Sequence, residues 1–367
     1  MDPPANAHAI PIPGGIADAE GNVGYVVAAG GGIDAVDLRS GGTMWHTDEA
    51  SRPLAAAQGQ MIAARVVPGA RSRIQTVVLD AARGGEPVST SAPIDLPSWA
   101  DAESDHRDDL ELDAELGEGR LVLRWEAHGR YRGGAPPPPA LEAAAQGDAA
   151  GTAEVDLRTG AVRARTSEAD ATGRLPAAPA PAADAFAPAP DEAPIAYQVG
   201  TSWKTGPWAA AESLAALRPD PRGGVLLNTQ GPADPGPVES PISDDPDADV
   251  RVTLDGGHVL VRGAAGTDPG AAGGEPWEVV SIREPGKRRT LTLRAGAHNF
   301  SVAGGRLIYV AEEPGPGVVR RLLAAHGLET GEHLWTRELG TRPDAGPPPL
   351  PQGPPVPSVP PAPQAAH

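Results

Sequence analysis

The acidic triplet Asp245, Asp247 and Asp249 is the part of the sequence whose residue types and spacing come nearest to a metal site. Carboxylates at alternate positions open the calcium-binding loops of EF-hand proteins. Here Val250 occupies the position where the sharp turn of such a loop needs glycine, and no glutamate follows at the closing position. We therefore interpret the triplet as a solvated acidic loop and predict no metal site.

Other patterns that carry chemistry are missing from the sequence. The nine histidines include no H-x-x-x-H or H-E-x-x-H pair, and there is no G-x-S-x-G and no phosphate-binding glycine loop before a helix. Because the chain has no cysteine, it cannot use a disulfide, a thiolate metal site or a cysteine nucleophile. We expect no catalytic residues, no cofactor and no enzyme activity.

The charge of the chain limits the kinds of partner it can bind. Its formal net charge is -18, whereas binding to nucleic acid or to anionic lipid needs a clustered basic face. No apolar run approaches the ~18 residues of a membrane span. The first residues have neither a basic nor an apolar segment of the signal-peptide type. We expect a protein that is cytoplasmic as encoded, and extracytoplasmic only if a leader has been removed.

The segment 200–208, GTSWKTGPW, is the one locally unusual loop of the sequence. Trp203, Lys204 and Trp208 place two large aromatic groups and one of the few lysines in a stretch bounded by glycine and proline. Such a composition is typical of an exposed loop that recognises a protein partner. The alternative is that both tryptophans pack between structural units of the fold.

Runs of alternating apolar and polar residues, separated by glycine pairs, recur along the chain in six similar units. The turn glycines lie about 43 residues apart in the first two units and about 45 apart in the last two. This spacing predicts an all-β propeller of four-stranded antiparallel blades, six or seven in number. We place the propeller at 15–341, after an N-terminal arm at 1–14. Low-complexity inserts are expected near 133–151, 173–194 and 231–248, and a disordered proline-rich tail at 342–367.

A short motif, A-x-D-x-x-[ST]-G-x-x-x-W, marks the end of several units. The first copy contains Ala35, Asp37, Ser40, Gly41 and Trp45. The last copy keeps Thr330, Gly331 and Trp335, with Gly327 in place of the aspartate. A third copy keeps Asp156, Thr159 and Gly160 but has Ala164 where tryptophan is expected. The aspartate and hydroxyl can bond to backbone groups of a tight turn, and glycine supplies positive φ at its corner. The tryptophan can then lie against the neighbouring blade, with its N–H on a backbone carbonyl. We interpret these residues as blade-docking elements.

The motif resembles the tryptophan-docking motif of the PQQ-dehydrogenase-like, or quinoprotein-like, β-propeller repeats. Enzymes of that family hold a quinone and Ca²⁺ through Glu, Asn and Asp, and typically carry a vicinal disulfide, which a chain without cysteine cannot form. The resemblance therefore implies a non-catalytic member, a scaffold for protein–protein interaction within a larger assembly. Two alternatives remain open: a PQQ- and calcium-dependent ligand-binding protein or oxidoreductase, and a sensor module of a signalling system.

Overall fold

A computed structural model of the chain describes residues 9–96, 110–117, 119–127, 150–165, 196–199, 202–204, 213–220, 222–229, 238–245, 248–262 and 274–343. These residues form six antiparallel sheets, each made from strands that follow one another in the chain. We number the sheets 1 to 6 in chain order.

Sheet 1 contains β1 (Ile10–Ile12), β2 (Gly15–Ala17), β3 (Val23–Val27), β4 (Ile33–Asp37) and β5 (Thr43–Thr47). Sheet 2 contains β6 (Arg52–Ala57), β7 (Gln60–Val67), β8 (Ala70–Asp80), β9 (Glu86–Thr90) and β10 (Ile94–Asp95), the last two both paired with β8. Sheet 3 contains β11 (Leu110–Gly117), β12 (Arg120–Ala127), β13 (Ala150–Asp156) and β14 (Val162–Arg165). A single 3-10 turn, Ala81–Arg83, follows β8.

Sheet 4 contains β15 (Ala196–Val199), β16 (Ser202–Lys204), β17 (Ser213–Pro219), β18 (Val225–Thr229) and β19 (Val238–Ser243), in the spatial order β16-β15-β17-β18-β19. Sheet 5 contains β20 (Asp249–Val252), β21 (His258–Arg262), β22 (Gly274–Ser281) and β23 (Arg288–Arg294). Sheet 6 contains β24 (His298–Ala303), β25 (Arg306–Gly315), β26 (Val318–Gly327) and β27 (His333–Pro343).

Alternation of apolar and polar residues decides which face of a strand is buried. In β23, for example, Leu291 and Leu293 are buried while Thr290 and Thr292 are exposed, because successive side chains of a strand point to opposite faces. The second and third strands of a sheet are instead apolar on both faces, as in Ile308–Ala311 of β25. In sheet 6, for example, these strands are covered on both faces because the sheet packs between sheets 5 and 1.

Buried clusters join five pairs of sheets. One cluster joins sheets 1 and 2, a second sheets 2 and 3, a third sheets 4 and 5, and a fourth sheets 5 and 6. A fifth joins sheet 6 to sheet 1, where Ile308 and Val310 pack with Val26 and Val36. The first and last sheets of the chain are therefore neighbours, and the molecule is an all-β propeller of four-stranded blades, which confirms the predicted fold class.

The ring closes without exchange of strands. Strands β1–β5 complete sheet 1 and β24–β27 complete sheet 6, whereas many propellers share a blade between the two ends of the chain. The first strands of neighbouring sheets contact each other, as β6 contacts β2 and β11, and β1 contacts β24. These strands therefore lie nearest the axis, and the last strand of each sheet lies at the outer rim.

Four strands were not predicted from the sequence patterns, one of which is the short strand β10 of sheet 2. Strand β1 lies within the segment taken as an N-terminal arm, 1–14, and β16 lies within the predicted recognition loop. Strand β19 lies within 231–248, which we had taken as an insert that supplies little core, yet its Ile242 is buried against sheet 5. Strand β27 also continues to Pro343, two residues into the expected tail.

Several predicted segments lie wholly or largely outside the described residues. These are most of 133–151, all of 173–194, and the tail beyond residue 343. In the part of the chain that the structure describes, no helix has the length and hydrophobicity needed to cross a membrane.

Candidate functional site

The motif residues lie in the turns between the third and fourth strands, where neighbouring sheets meet. In sheet 1, the Asp37 carboxylate accepts the backbone N–H of Arg39 at 2.8 Å and the hydroxyl of Ser40 at 2.9 Å. These bonds hold the pKa of Asp37 below its ordinary value. Gly41 takes φ +73°, and its N–H donates to the Asp37 carbonyl at 2.8 Å. The turn is thus built by the residue types that the motif requires.

The third copy of the motif has the same geometry in sheet 3. Asp156 accepts the N–H groups of Arg158 and Thr159 at 3.0 and 2.9 Å, which lowers the pKa of its carboxyl, chiefly through the bonds to Thr159. Gly160 has φ +71°. In sheet 6, where Gly327 replaces the aspartate, the Gly331 N–H still donates to the Gly327 carbonyl at 2.8 Å. The backbone turn therefore persists without the carboxylate.

Each motif tryptophan reaches across to the next sheet of the ring. The Trp45 indole N–H donates to the Ala81 carbonyl of sheet 2 at 3.1 Å. The Trp335 indole N–H, from the outer strand of sheet 6, donates to the Leu38 carbonyl of sheet 1 at 2.8 Å. Ala81 and Leu38 each follow the aspartate of the turn, so both tryptophans use the same acceptor position. The motif thus joins sheet 1 to sheet 2 and closes the ring between sheets 6 and 1.

Glycine on the receiving turn leaves room for the indole. A Cβ atom added to Gly41 would lie 2.7 Å from Cγ of Trp335, and one added to Gly85 would lie 2.6 Å from Cζ3 of Trp45. Real Cβ atoms do not approach so closely, since such contacts are far inside van der Waals distance. The two glycines are therefore needed both for their positive φ and for the tryptophan packed on them.

Two further junctions place different residues at the tryptophan position. Between sheets 2 and 3, the Ser89 hydroxyl donates to the Leu157 carbonyl at 3.3 Å, and Leu157 again follows the motif aspartate. A narrow crevice with an empty volume of about 140 Å³ lies beside Ser89 and Gly160. Between sheets 5 and 6, the Leu291 side chain lies 3.4 Å from where a Cβ on Gly331 would stand. Sequence reasoning missed Ser89 and Leu291, although both stand directly after the predicted turns.

A β-bulge precedes the docking residue in three outer strands. In sheet 1, Ala35 pairs with Trp45 and Val36 with Thr43, which leaves Met44 without a partner. The same shift leaves Val88 unpaired in sheet 2 and Leu334 unpaired in sheet 6. A bulge places two residues opposite one and re-aims the side chains beside it, which turns Trp45, Ser89 and Trp335 toward the neighbouring sheet.

A charged cluster strengthens the junction between the first and last sheets. Buried Asp34 of β4 forms an ion pair with Arg337 of β27, which also donates to the Thr43 hydroxyl at 2.6 Å. Asp34 also bonds Nδ1 of His46 at 2.7 Å, while Nε2 of His46 lies 3.0 Å from Asp48. The hydrogen bonds that the ring makes to Asp34 and then to Asp48 raise the pKa of His46, because both carboxylates favour the protonated ring.

Two other polar groups are buried at the junctions of sheets 5, 6 and 1. Burial alone would raise the pKa of Asp255, but the ring of His258, with Nδ1 3.9 Å away, and the Val302 N–H, which donates to the carboxylate at 2.7 Å, hold it below its ordinary value. The neighbouring Ser301 hydroxyl donates to the Pro11 carbonyl of β1 at 2.5 Å. His326 is buried beside Tyr309, and burial lowers the pKa of its ring to about 4. The Asp255 bond thus joins sheet 5 to sheet 6, and the Ser301 bond joins sheet 6 to sheet 1.

The predicted recognition loop contains regular structure. Trp203 and Lys204 lie in β16, where Trp203 is opposite Gln198 and Lys204 opposite Tyr197 of β15. Trp208 lies outside the described residues. In spatial order β16 is the end strand of sheet 4, beside the first strand β15. The structure therefore places this segment on the axial side of the ring.

Asp249, of the acidic triplet, is engaged in ion pairs. Asp249 lies 2.6 Å from Nε of Arg251 and 3.1 Å from Nη2 of Arg262. Asp247 lies outside the described residues. Within the described ranges, no three or more His, Asp or Glu side chains converge so as to hold a metal ion.

Comparison with known proteins finds similar solved structures but no matching family. No family model matches the sequence, and no curated protein matches it significantly. The structure is similar to AtxE2 isopeptidase, at 15% identity over 89% of this chain and 47% of that chain, with a TM-score of 0.37. It is similar to a puromycin hydrolase at 16% identity, over 88% of this chain and 52% of that chain, with a TM-score of 0.38. A europium-containing methanol dehydrogenase matches at 12% identity, 87% of this chain, 68% of that chain and a TM-score of 0.24.

The chain spans about half the length of the isopeptidase and of the hydrolase. At these scores and identities the neighbours carry no argument about activity or ligand. The candidate site is therefore defined by features of this chain alone: its docking turns, the strands nearest the axis and its outer rim.

Proposed function

We propose that the protein is a non-catalytic β-propeller scaffold, built from quinoprotein-like repeats, that binds a protein partner within a larger assembly and needs no cofactor. The observation that carries this proposal is the position of the two additional strands. Strand β1 stands beside β2 at the axial end of sheet 1, and β16 stands beside β15 at the axial end of sheet 4.

Sheets 1 and 4 are opposite each other in a ring of six, so the two additional strands approach the axis from opposite sides. Strand β1 is held there by its contact with β24 and by the bond from Ser301 to its Pro11 carbonyl. Its Ile12 is buried. A ligand bound at the mouth of the channel, as in a quinoprotein enzyme, would need the space that these strands reduce. This arrangement favours a scaffold over a quinone-binding enzyme.

Strand β16 also supports binding of a protein. Among the described strands, β16 pairs with β15 alone, and an edge strand can accept a further strand from a partner. Trp203 and Lys204 belong to this strand, and tryptophan is enriched among the residues that dominate binding energy at interfaces. The chain's charge of -18 disfavours a nucleic acid as the partner.

Affinity co-purification from native cells, followed by mass spectrometry, tests the proposal. The intact chain is compared with a Trp203→Ala/Trp208→Ala variant and with Val318→Ala, an exposed apolar residue on β26, as the matched control. We expect a stoichiometric protein that is retained by the control and lost from the tryptophan variant. A chromophore or Ca²⁺ that co-purifies in place of a protein would overturn the proposal in favour of the quinoprotein alternative. A phosphodonor or kinase-linked complex would favour a sensor module.

A further inference from the structure

The bulges of the outer strands expose large apolar side chains in a regular pattern. Among the described residues, the exposed large apolar side chains are Met44 (55%), Val88 (57%), Leu254 (44%), Val318 (37%) and Leu334 (39%). Three of these, Met44, Val88 and Leu334, are the unpaired residues of the three bulges. Single exposed apolar residues are normal on a protein surface. Chance exposure would not, however, place three of them at the same position of the repeated sheet.

The three residues belong to consecutive sheets of the ring. Leu334 is in sheet 6, Met44 in sheet 1 and Val88 in sheet 2, and the buried clusters show that these sheets are neighbours in that order. We call the three residues the rim arc. Met44 and Leu334 lie on the last strands of their sheets, and Val88 lies on β9, which pairs with β8 as β10 does, so the arc runs along the outer rim.

The rim arc does not extend into sheet 5 or sheet 3, because the last strands of these sheets have no bulge at this position. In sheet 5, Leu291 pairs with Trp277 and Thr290 with Glu278 in regular register, so the residue before the docking position is a threonine. In sheet 3 the equivalent residue is Arg163, opposite Glu154. Both Thr290 and Arg163 are exposed. Among sheets 1, 2, 3, 5 and 6, this position therefore holds an apolar residue only in the three sheets that have the bulge.

The surroundings of the arc are acidic. The strand and turn segments 37–49, 80–90 and 327–338 contain eight acidic residues and three arginines. One of the three arginines, Arg337, is engaged by Asp34. Asp48, whose side chain is 86% exposed, follows the strand of Met44, and exposed Glu86 lies two residues before Val88. A partner that covers the arc must therefore offer both apolar side chains and positive charge.

We propose that the rim arc is a docking surface for a basic, amphipathic segment of a partner protein. Apolar side chains of the segment cover Leu334, Met44 and Val88, and its lysines or arginines face the carboxylates between them. This inference rests on the proposed scaffold function and places a second contact surface at the rim, away from the axial strand β16.

Binding of a defined probe tests the inference directly. The probe is a short fluorescein-labelled peptide of alternating Leu and Lys, titrated with the full chain and followed by fluorescence anisotropy. The arc variant carries Met44→Thr, Val88→Thr and Leu334→Thr, since threonine suits strands and occurs at this position in sheet 5. The matched control carries Leu254→Thr and Val318→Thr, the exposed apolar residues outside the arc. Thermal unfolding of each variant checks that it folds.

We expect the arc variant to bind the probe about tenfold more weakly than the intact chain, and the control to bind equally well. Equal binding by the arc variant, or equally tight binding of a Ser/Lys peptide without apolar residues, would overturn the inference. Light scattering after size exclusion tests a second copy as the occupant. A dimer that the arc variant abolishes would replace the basic partner with self-association.

Native co-purification separates this inference from the scaffold proposal. A partner recovered equally with the arc variant and the intact chain would leave the scaffold in place and overturn the rim arc. Recovery of no partner by the intact chain would instead count against the scaffold itself. We expect the arc variant to recover less of the partner than the control does.

Discussion

The indole N–H of Trp335 donates to the carbonyl of Leu38 at 2.8 Å, and the two residues are 297 positions apart in the chain. Trp45 makes the equivalent bond to Ala81, 36 positions away. One local motif thus serves both an ordinary junction between neighbouring sheets and the closure of the ring. Closure needs it because no strand is shared between sheets 1 and 6.

Truncation of Trp335 should destabilise the fold strongly. Trp335 is buried, at 5% exposure, in the cluster that joins sheets 6 and 1. We expect Trp335→Ala to lower the free energy of unfolding by about 3–5 kcal/mol, as for other buried aromatic residues. Trp335→Phe retains most of the apolar contact and should cost less, with about 1 kcal/mol of its effect due to the lost hydrogen bond. Urea denaturation measures both values, and equal losses for the two variants would contradict this division.

Two adjacent glycines in sheet 2 allow the cost of backbone strain to be measured separately from the cost of crowding Trp45. Gly84 and Gly85 have φ +73° and +80°, but only a Cβ on Gly85 would meet Trp45. Gly84→Ala should therefore cost about 1 kcal/mol through φ alone. Gly85→Ala should cost a further ~1–3 kcal/mol because the indole must move. Urea unfolding gives the difference in free energy of unfolding between the two variants. Equal stability would show that the packing of Trp45 does not require a residue without a side chain at position 85.

Protonation of His46 should stabilise the junction of sheets 6 and 1. Its pKa is raised in the folded chain by Asp34 and Asp48, so the folded state binds the proton more tightly than the unfolded chain. This contribution is fully present below the unfolded value of about 6.5 and is lost as pH rises through the folded pKa. We expect His46→Gln to remove that part of the pH dependence.

Urea unfolding across this pH range measures the effect, and NMR titration of the His46 ring gives the folded pKa. His298→Gln, at a histidine of β24 whose ring bonds the Gly296 carbonyl and no group of this cluster, is the matched control and should leave the His46 titration unchanged. A pH dependence of stability that is the same in His46→Gln as in the intact chain would contradict the role of this cluster.

Much of the fold follows from the sequence because each sheet repeats the same alternation. Four of the five strands in each of sheets 1 and 2, and all four in each of sheets 3, 5 and 6, coincide with the alternating runs, and the turn glycines mark their ends. Strands β1 and β16 have three residues each, too few for a period of two to be recognised. Strand β19, VESPIS, carries a proline within a segment rich in Asp and Pro, so its composition resembles a loop.

The docking turns could be predicted, whereas their partners could not. Asp37, Gly41 and Trp45 have residue types that suit their roles, and their spacing is local. The acceptors Leu38 and Ala81 act through backbone carbonyls, which any residue has, so nothing in the sequence marks them. The bulges at Met44, Val88 and Leu334 depend on the register between two strands, which local composition does not determine.

A disulfide between sheets 1 and 6 would test the closed ring most directly. A Cβ added to Gly340 of β27 would lie 3.5 Å from Cβ of Ala29, within the range that a disulfide needs. The chain has no cysteine of its own, so the bond in an Ala29→Cys/Gly340→Cys variant is unambiguous. We expect oxidation to give an intramolecular disulfide in the monomer, seen as faster migration without reductant. Because Gly340 has φ +123°, a cysteine there strains the backbone in both redox forms, so the midpoint of thermal unfolding should be higher than that of the same variant when reduced. A variant that stays reduced, or that forms only intermolecular disulfides, would contradict the contact between the first and last sheets.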